Sequence, residues 1–140
     1  MTRIVIDASV ALSWCFADER TGASQKLLER VILNGALVPN LWHLEICNSL
    51  LIGEIRGRIT IESIVEQFKN FDEMPIEVDL QTSTAAWGSI ARIARAYKLT
   101  SYDAAYVELA HRHSIELATR DKAMIKAAAG LQVPLFKLDQ

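Results

Sequence analysis

Asp7, Glu45, Asp103 and Asp121 are set apart by their surroundings in the chain rather than by being acidic. Asp7 ends the β-branched run Ile4-Val5-Ile6, and Asp121 follows a second strand-like run, Ile115 to Thr119. In an open parallel sheet, ligands bind in the crevice outside the carboxyl ends of the strands, so two acids placed there are candidates for one site. Asp103 falls in the first turn of a predicted helix, and Glu45 lies among Leu41, Leu44, Ile46, Leu50 and Leu51. Singly, each acid has an ordinary structural explanation. Asp121 is a good N-cap, and Asp103, three residues after Thr100, fits a capping box. Asp7 could cap the next helix, although Ser9 already offers an oxygen for that, and Glu45 could face solvent with Asn48 one turn along. If the four converge, they repel one another and raise their pKa values unless a cation sits among them. An all-oxygen donor set without a His or Cys cluster selects a hard ion, Mg²⁺ or Mn²⁺, over zinc. The chemistry expected of such a centre is hydrolysis at phosphorus, with water activated and phosphate charge neutralised. Asp7 and Asp121 are the first choice as direct ligands. Glu45 and Asp103 are left to bind directly, to bind through water, or to orient the nucleophile as a base.

The elements that must position these acids follow from periodicity. Ile4 to Ile6 predicts a strand, and Ala8 to Ala17 a helix that Ser9 can cap. Ala23 to Asn34 repeats its apolar residues at helical spacing and stops at Gly35; Leu37-Val38 is a short strand ended by Pro39. Leu41 to Ile55 and the segment after Thr60 form a helix pair separated by Gly57, the second with an apolar stripe of Ile61, Ile64, Val65, Phe68 and Phe71. A weak strand at Ile76 to Val78, a helix from Gln81 to Tyr97 and a helix from Thr100 or Ser101 to about His113 come next. Ile115 to Thr119, a helix from Asp121 to Ala129, and a closing strand from Val133 to Leu138 complete the chain. Strands alternating with helices predict an α/β fold, a three-layer α/β/α arrangement with a central parallel sheet.

Composition narrows the function further. With 140 residues, 51% of them hydrophobic and 23% charged, the chain predicts a single folded domain spanning 1–140. A net charge of −2 excludes bulk electrostatic attraction as the means of holding nucleic acid, so any such contact must be local. Arg120 and Lys122 flank Asp121 and are the best phosphate contacts; Arg56 with Arg58, Arg92 with Arg95 and Lys98, and Lys126 are further groups that double as solvated helix faces. His43, His111 and His113 are read as surface or packing residues. Cys15 and Cys47 are read as small hydrophobes of a reducing compartment. No Gly-rich phosphate loop or Gly-x-Ser-x-Gly elbow is present. The apolar run from Ile4 to Phe16 is shorter than the ~20 residues of a membrane span, which predicts a cytoplasmic protein with no membrane partner.

The segments Ile4-Val5-Ile6-Asp7-Ala8-Ser9, Leu41 to Asn48, Leu99 to Tyr106 and Leu117-Ala118-Thr119-Arg120-Asp121 resemble, in order and spacing, the successive motifs of PIN-domain ribonucleases, most closely the VapC-like toxins of type II toxin-antitoxin pairs. The resemblance runs along essentially the whole chain. It implies a PIN-like fold and a metal-dependent endoribonuclease that leaves a 5′-phosphate and a 3′-hydroxyl. It makes Asp7, Glu45, Asp103 and Asp121 the metal-binding acids. Ser9, Asn48 and Thr119 become polar neighbours that hydrogen-bond the acids, water or phosphate. It further implies a cognate antitoxin, a homodimer, and contact with DNA only through the antitoxin; Trp14, Phe16, Trp42 and the Ile61 to Phe71 stripe offer more apolar side chain than a small core needs. A second reading is a non-cleaving PIN-type module whose acids form a socket for a basic antitoxin segment. A third, a phosphotransfer domain with a nucleophilic Asp, lacks the paired Asp-x-Asp after the first strand.

Overall fold

The computed structural model describes residues 2–138. Four short strands, β1 (Ile4–Ile6), β2 (Ala36–Val38), β3 (Ile76–Val78) and β4 (Leu117–Ala118), form one parallel sheet in the order β3-β2-β1-β4. The eight helices are α1 (Ala8–Leu12), α2 (Gly22–Asn34), α3 (Trp42–Ile55), α4 (Ile61–Asp72), α5 (Thr82–Ala85), α6 (Ala91–Tyr97), α7 (Ser101–His113) and α8 (Lys122–Gly130). They flank the sheet in a three-layer α/β/α arrangement. β1 and β2 are fully buried and wholly apolar, as strands covered on both faces must be. From β1 the chain steps outward to β2 and β3, then returns to lay β4 on the other side of β1. The sheet order therefore reverses between β1 and β4, and a crevice opens there at the carboxyl ends.

Local chemistry explains where the chain turns. Gly35, at φ +87°, ends α2 and sends the chain directly into β2, a backbone position that favours glycine. α3 and α4 form the expected pair, with Gly57 at φ +74° between them and Thr60 capping α4 by accepting from the Ser63 N–H. Trp42 is fully buried, and Trp14 and Phe16 nearly so. Cys15 and Cys47 are free and half-buried.

Several expectations need correction. The first helix ends at Leu12 rather than Ala17, a single 3₁₀ turn at Ala17–Glu19 follows, and Asp7 rather than Ser9 is its N-cap. The helix expected from Gln81 to Tyr97 is interrupted by a π turn, Ala86–Ile90, that leaves Trp87 almost wholly exposed. The strand Ile115 to Thr119 shortens to β4: the Ile115 N–H is taken by the Ala110 carbonyl at the end of α7, and Thr119 lies past the strand with its hydroxyl on Asp7. The closing strand from Val133 to Leu138 reduces to one bridge, Leu117 to Leu135, consistent with Pro134, which has no N–H to donate. Of the α4 stripe, Ile64 and Phe71 are buried while Ile61, Val65 and Phe68 stay exposed beside Leu44, Leu51, Ile52 and Ile55 of α3. Among the described residues no helix is long and apolar enough to cross a membrane.

Candidate active site

Asp7 leaves the end of β1 with an extended backbone and a carboxylate that is only 5% exposed. Its Oδ1 accepts from the Val10 N–H (2.8 Å) and the Ser9 hydroxyl (2.9 Å), and its Oδ2 accepts from the Thr119 hydroxyl. One side chain therefore caps α1 and ties β1 to the end of β4. The Thr119 oxygen also accepts the Asp121 N–H at 3.1 Å, so one buried hydroxyl sets the relative position of two acids 114 residues apart in the chain, 7 and 121. Asp121 is the N-cap of α8, its Oδ1 accepting from Met124 N at 2.9 Å. Asp103 rides in the first turn of α7, whose N-cap Thr100 accepts the Asp103 N–H at 3.1 Å. Glu45 lies in the first turn of α3 and accepts a hydrogen bond from the buried Tyr106 hydroxyl. Helix N-termini are favourable places for carboxylates, and each of these acids sits at one.

The four carboxylates line a single pocket of about 180 Å³ with Ala8, Ser9, Tyr106 and Met124. Burial pushes the Asp7 and Glu45 carboxyls above their ordinary range, and the negative charge of Asp103 adds to both. Asp103 is raised by burial and then by Asp121. The hydrogen bonds from Thr119 to Asp7 and from Tyr106 to Glu45 pull the other way and are outweighed. The Tyr106 phenol is itself pushed far up by burial and by Glu45, which keeps it a hydrogen-bond donor. Among the described residues no ion pair reaches any of the four acids, although six pairs form elsewhere.

Asp7, Glu45 and Asp103, with raised pKa values, and Asp121 beside them, with no basic partner among the described residues, make a donor set suited to a hard cation. Among the described residues no three acids lie close enough to enclose an ion directly. The pocket has room for several waters at about 30 Å³ each, and Mg²⁺ ordinarily keeps several of its own waters, bound through one or two carboxylates. The residues therefore fit a hydrated divalent ion better than a closed protein cage.

The remaining expected residues distribute unevenly. Ser9 lines the pocket and holds Asp7; Thr119 is buried and acts through Asp7 and Asp121. Asn48 is exposed on α3 and stands outside the pocket lining. Arg120 is exposed, donates to the Thr21 hydroxyl at 3.5 Å, and lines a neighbouring cavity; Lys122 is exposed at the first position of α8. Arg58 is committed elsewhere, pairing with Asp18 and Glu19 over the Phe16 ring. The residue missed from sequence is Tyr106. Its spacing was the available signal, since three residues after Asp103 on a helix places it on the same face. A second group also went unread. Arg112 forks between Asp79 and Glu108 (2.8 to 3.1 Å), and Ser89 of the π turn donates to Glu108, which pins α7 in place.

A family model described as PIN domain matches residues 4–130. The chain belongs to the PIN domain family. PIN domains are generally divalent-metal-dependent nucleases, and all four acids fall inside the matched span. The fold is shared with PAE2754 from Pyrobaculum aerophilum, at TM-score 0.66 and 19% identity over 90% of this chain and 84% of that one. It is also shared with FitAcB from Neisseria gonorrhoeae, at TM-score 0.63 and 16% identity over 96% of both chains. FitAB bound to an IR36 DNA fragment aligns at TM-score 0.55 and 16% identity over 98% of both. At these identities the likeness is one of PIN fold. No curated protein matches the chain in sequence.

Proposed function

We propose that this PIN domain is a Mg²⁺- or Mn²⁺-dependent endoribonuclease of the VapC-like toxin kind, hydrolysing RNA phosphodiesters to a 5′-phosphate and a 3′-hydroxyl. The observation that carries the proposal is the pocket at the ends of β1 and β4 in which four carboxylates meet without a basic partner among the described residues. Asp7, Asp103, Asp121 and Glu45 would hold the ion. When bound, it supplies activation of water and neutralisation of the phosphate. The protein's own part is positioning. Ser9, Val10 and Thr119 fix Asp7, and the Met124 N–H fixes Asp121. Glu45 keeps one oxygen on Tyr106 and has the other to orient or deprotonate the attacking water. Arg120 and Lys122 contact flanking phosphates, and Asn48 adds a polar contact at the outer edge.

In this reading a cognate antitoxin helix covers the exposed apolar residues of α3 and α4, which are of the kind that such a partner buries. DNA is reached only through the antitoxin, the toxin pairs as a homodimer, and the single domain of residues 1–140 works in the cytoplasm.

The test is cleavage of total cellular RNA by the purified, antitoxin-free protein in Mg²⁺, Mn²⁺ or EDTA, with Asp7→Ala and Asp103→Ala alongside and fragment ends mapped. Discrete cuts that need the metal and both acids are expected. Wild type and variants behaving alike across RNAs and metals, with the fold intact, would replace the nuclease with the non-cleaving binding module.

A further inference from the structure

On the β4 side of the acid pocket lies a second, larger cavity of about 480 Å³. Thr119 lines it, and the same residue's hydroxyl donates to Asp7 and accepts from the Asp121 N–H, so one residue links the two linings. Its wall is Ile125 of α8 together with Leu135 and Phe136, held in place because Leu117 accepts the Phe136 N–H at 3.0 Å and donates to Pro134 at 2.9 Å. Arg120 and Lys137 line it as exposed side chains, and neither forms an ion pair among the described residues. A largely apolar chamber with an aromatic and two exposed cations in its lining does not suit a metal cation. It suits a flat apolar ring attached to an anion.

We infer that this cavity is a nucleobase subsite, receiving the base of the nucleotide next to the scissile phosphate, with Phe136 as the stacking surface and Arg120 and Lys137 on that nucleotide's phosphate. The inference deepens the nuclease reading and rests on it. The chain's net charge of −2 offers no general attraction for an RNA backbone, and the four acids offer none without their ion, so the strand also needs a grip beside the pocket. Single-stranded RNA is ordinarily gripped through unstacked bases laid on aromatic side chains, with the phosphates on basic ones. A cavity of this size lies within the range of small-ligand sites. The subsite makes the base beside the cut, rather than the metal centre, the source of sequence preference.

The test has two arms on the full chain. First, amide resonances are followed in EDTA as AMP, GMP, CMP, UMP or ribose 5-phosphate is added. Saturable shifts at Arg120, Phe136 and Lys137 are expected with at least one nucleotide, and none at Phe136 with ribose 5-phosphate, whose phosphate reaches only Arg120 and Lys137. Phe136→Ala, and independently Ile125→Trp, which fills the cavity, should weaken that binding about tenfold. Equal shifts at Phe136 with ribose 5-phosphate, or none at millimolar nucleotide, would overturn the subsite. Second, on an RNA that the wild type cuts, both cavity variants should change the base preferred at one fixed position beside the cut, whereas Asp103→Asn should remove every cut. Unchanged preference in both cavity variants would overturn the subsite and leave the nuclease standing. Nucleotide binding by a protein that cuts no RNA would retain the cavity as a nucleotide site and remove the nuclease.

Discussion

The Tyr106 hydroxyl holds Glu45, and the Thr119 hydroxyl holds Asp7 and the backbone of Asp121. Tyr106→Phe deletes the donor to Glu45 while keeping the ring that fills the core, so the fold should survive and RNA cleavage should fall by about 10- to 100-fold, as for other partners that orient metal-binding groups. The check is a cleavage rate together with Mg²⁺ affinity by calorimetry. Charge gives a second prediction. Asp7, Glu45 and Asp103 have folded-state pKa values above their ordinary ones, so the folded chain binds their protons more tightly than the unfolded chain does. Their contribution to stability is full below the ordinary carboxylate range and is lost as pH rises through the raised values. In EDTA, Tm should therefore drop as pH rises out of the ordinary carboxylate range, and saturating Mg²⁺ should shrink that drop by neutralising the same charges. Asp103→Asn, which removes one of the mutually repelling charges, should melt above the wild type in EDTA at neutral pH and respond less to Mg²⁺.

The strand ends and helix starts explain why so much of this site could be read without coordinates. Asp7 and Asp121 each follow a strand-like run, and the four acids lie in segments whose order resembles one family, so their meeting was legible. What hid was the dual use of each group. Asp7 is both an acid of the pocket and the cap of α1, and Asp121 both an acid of the pocket and the cap of α8, so the structural and chemical explanations were never alternatives. Tyr106 hid because a tyrosine among apolar helix residues reads as core, which it also is. The shortened closing strand and the π turn hid because pairing at an edge and a one-residue shift of helical phase depend on tertiary contacts that periodicity does not report. The π turn carries Ser89 to Glu108 and so belongs to the group that fixes α7, the helix bearing Asp103 and Tyr106. Arg112→Met leaves Asp79 and Glu108 buried without their cation. It should cost about 3 kcal/mol in chemical denaturation, and the Asp79 carboxyl, which Arg112 now holds below its ordinary range, should titrate higher by NMR.

The topology joins chain segments that are made far apart in time. β1 is synthesised well before β4 and α8, yet Asp7 reaches its final setting only when Thr119 arrives to donate to it. Closing so long a loop is a late event in folding, because its entropy must be offset before the contacts it permits can form. A ribosome-bound chain that has emerged only as far as α7 holds Asp7, Glu45 and Asp103 but lacks both the strand that completes the crevice and the fourth acid. The order in which the chain is made thus bears on when the pocket forms: no nascent chain that stops short of Asp121 presents all four acids together.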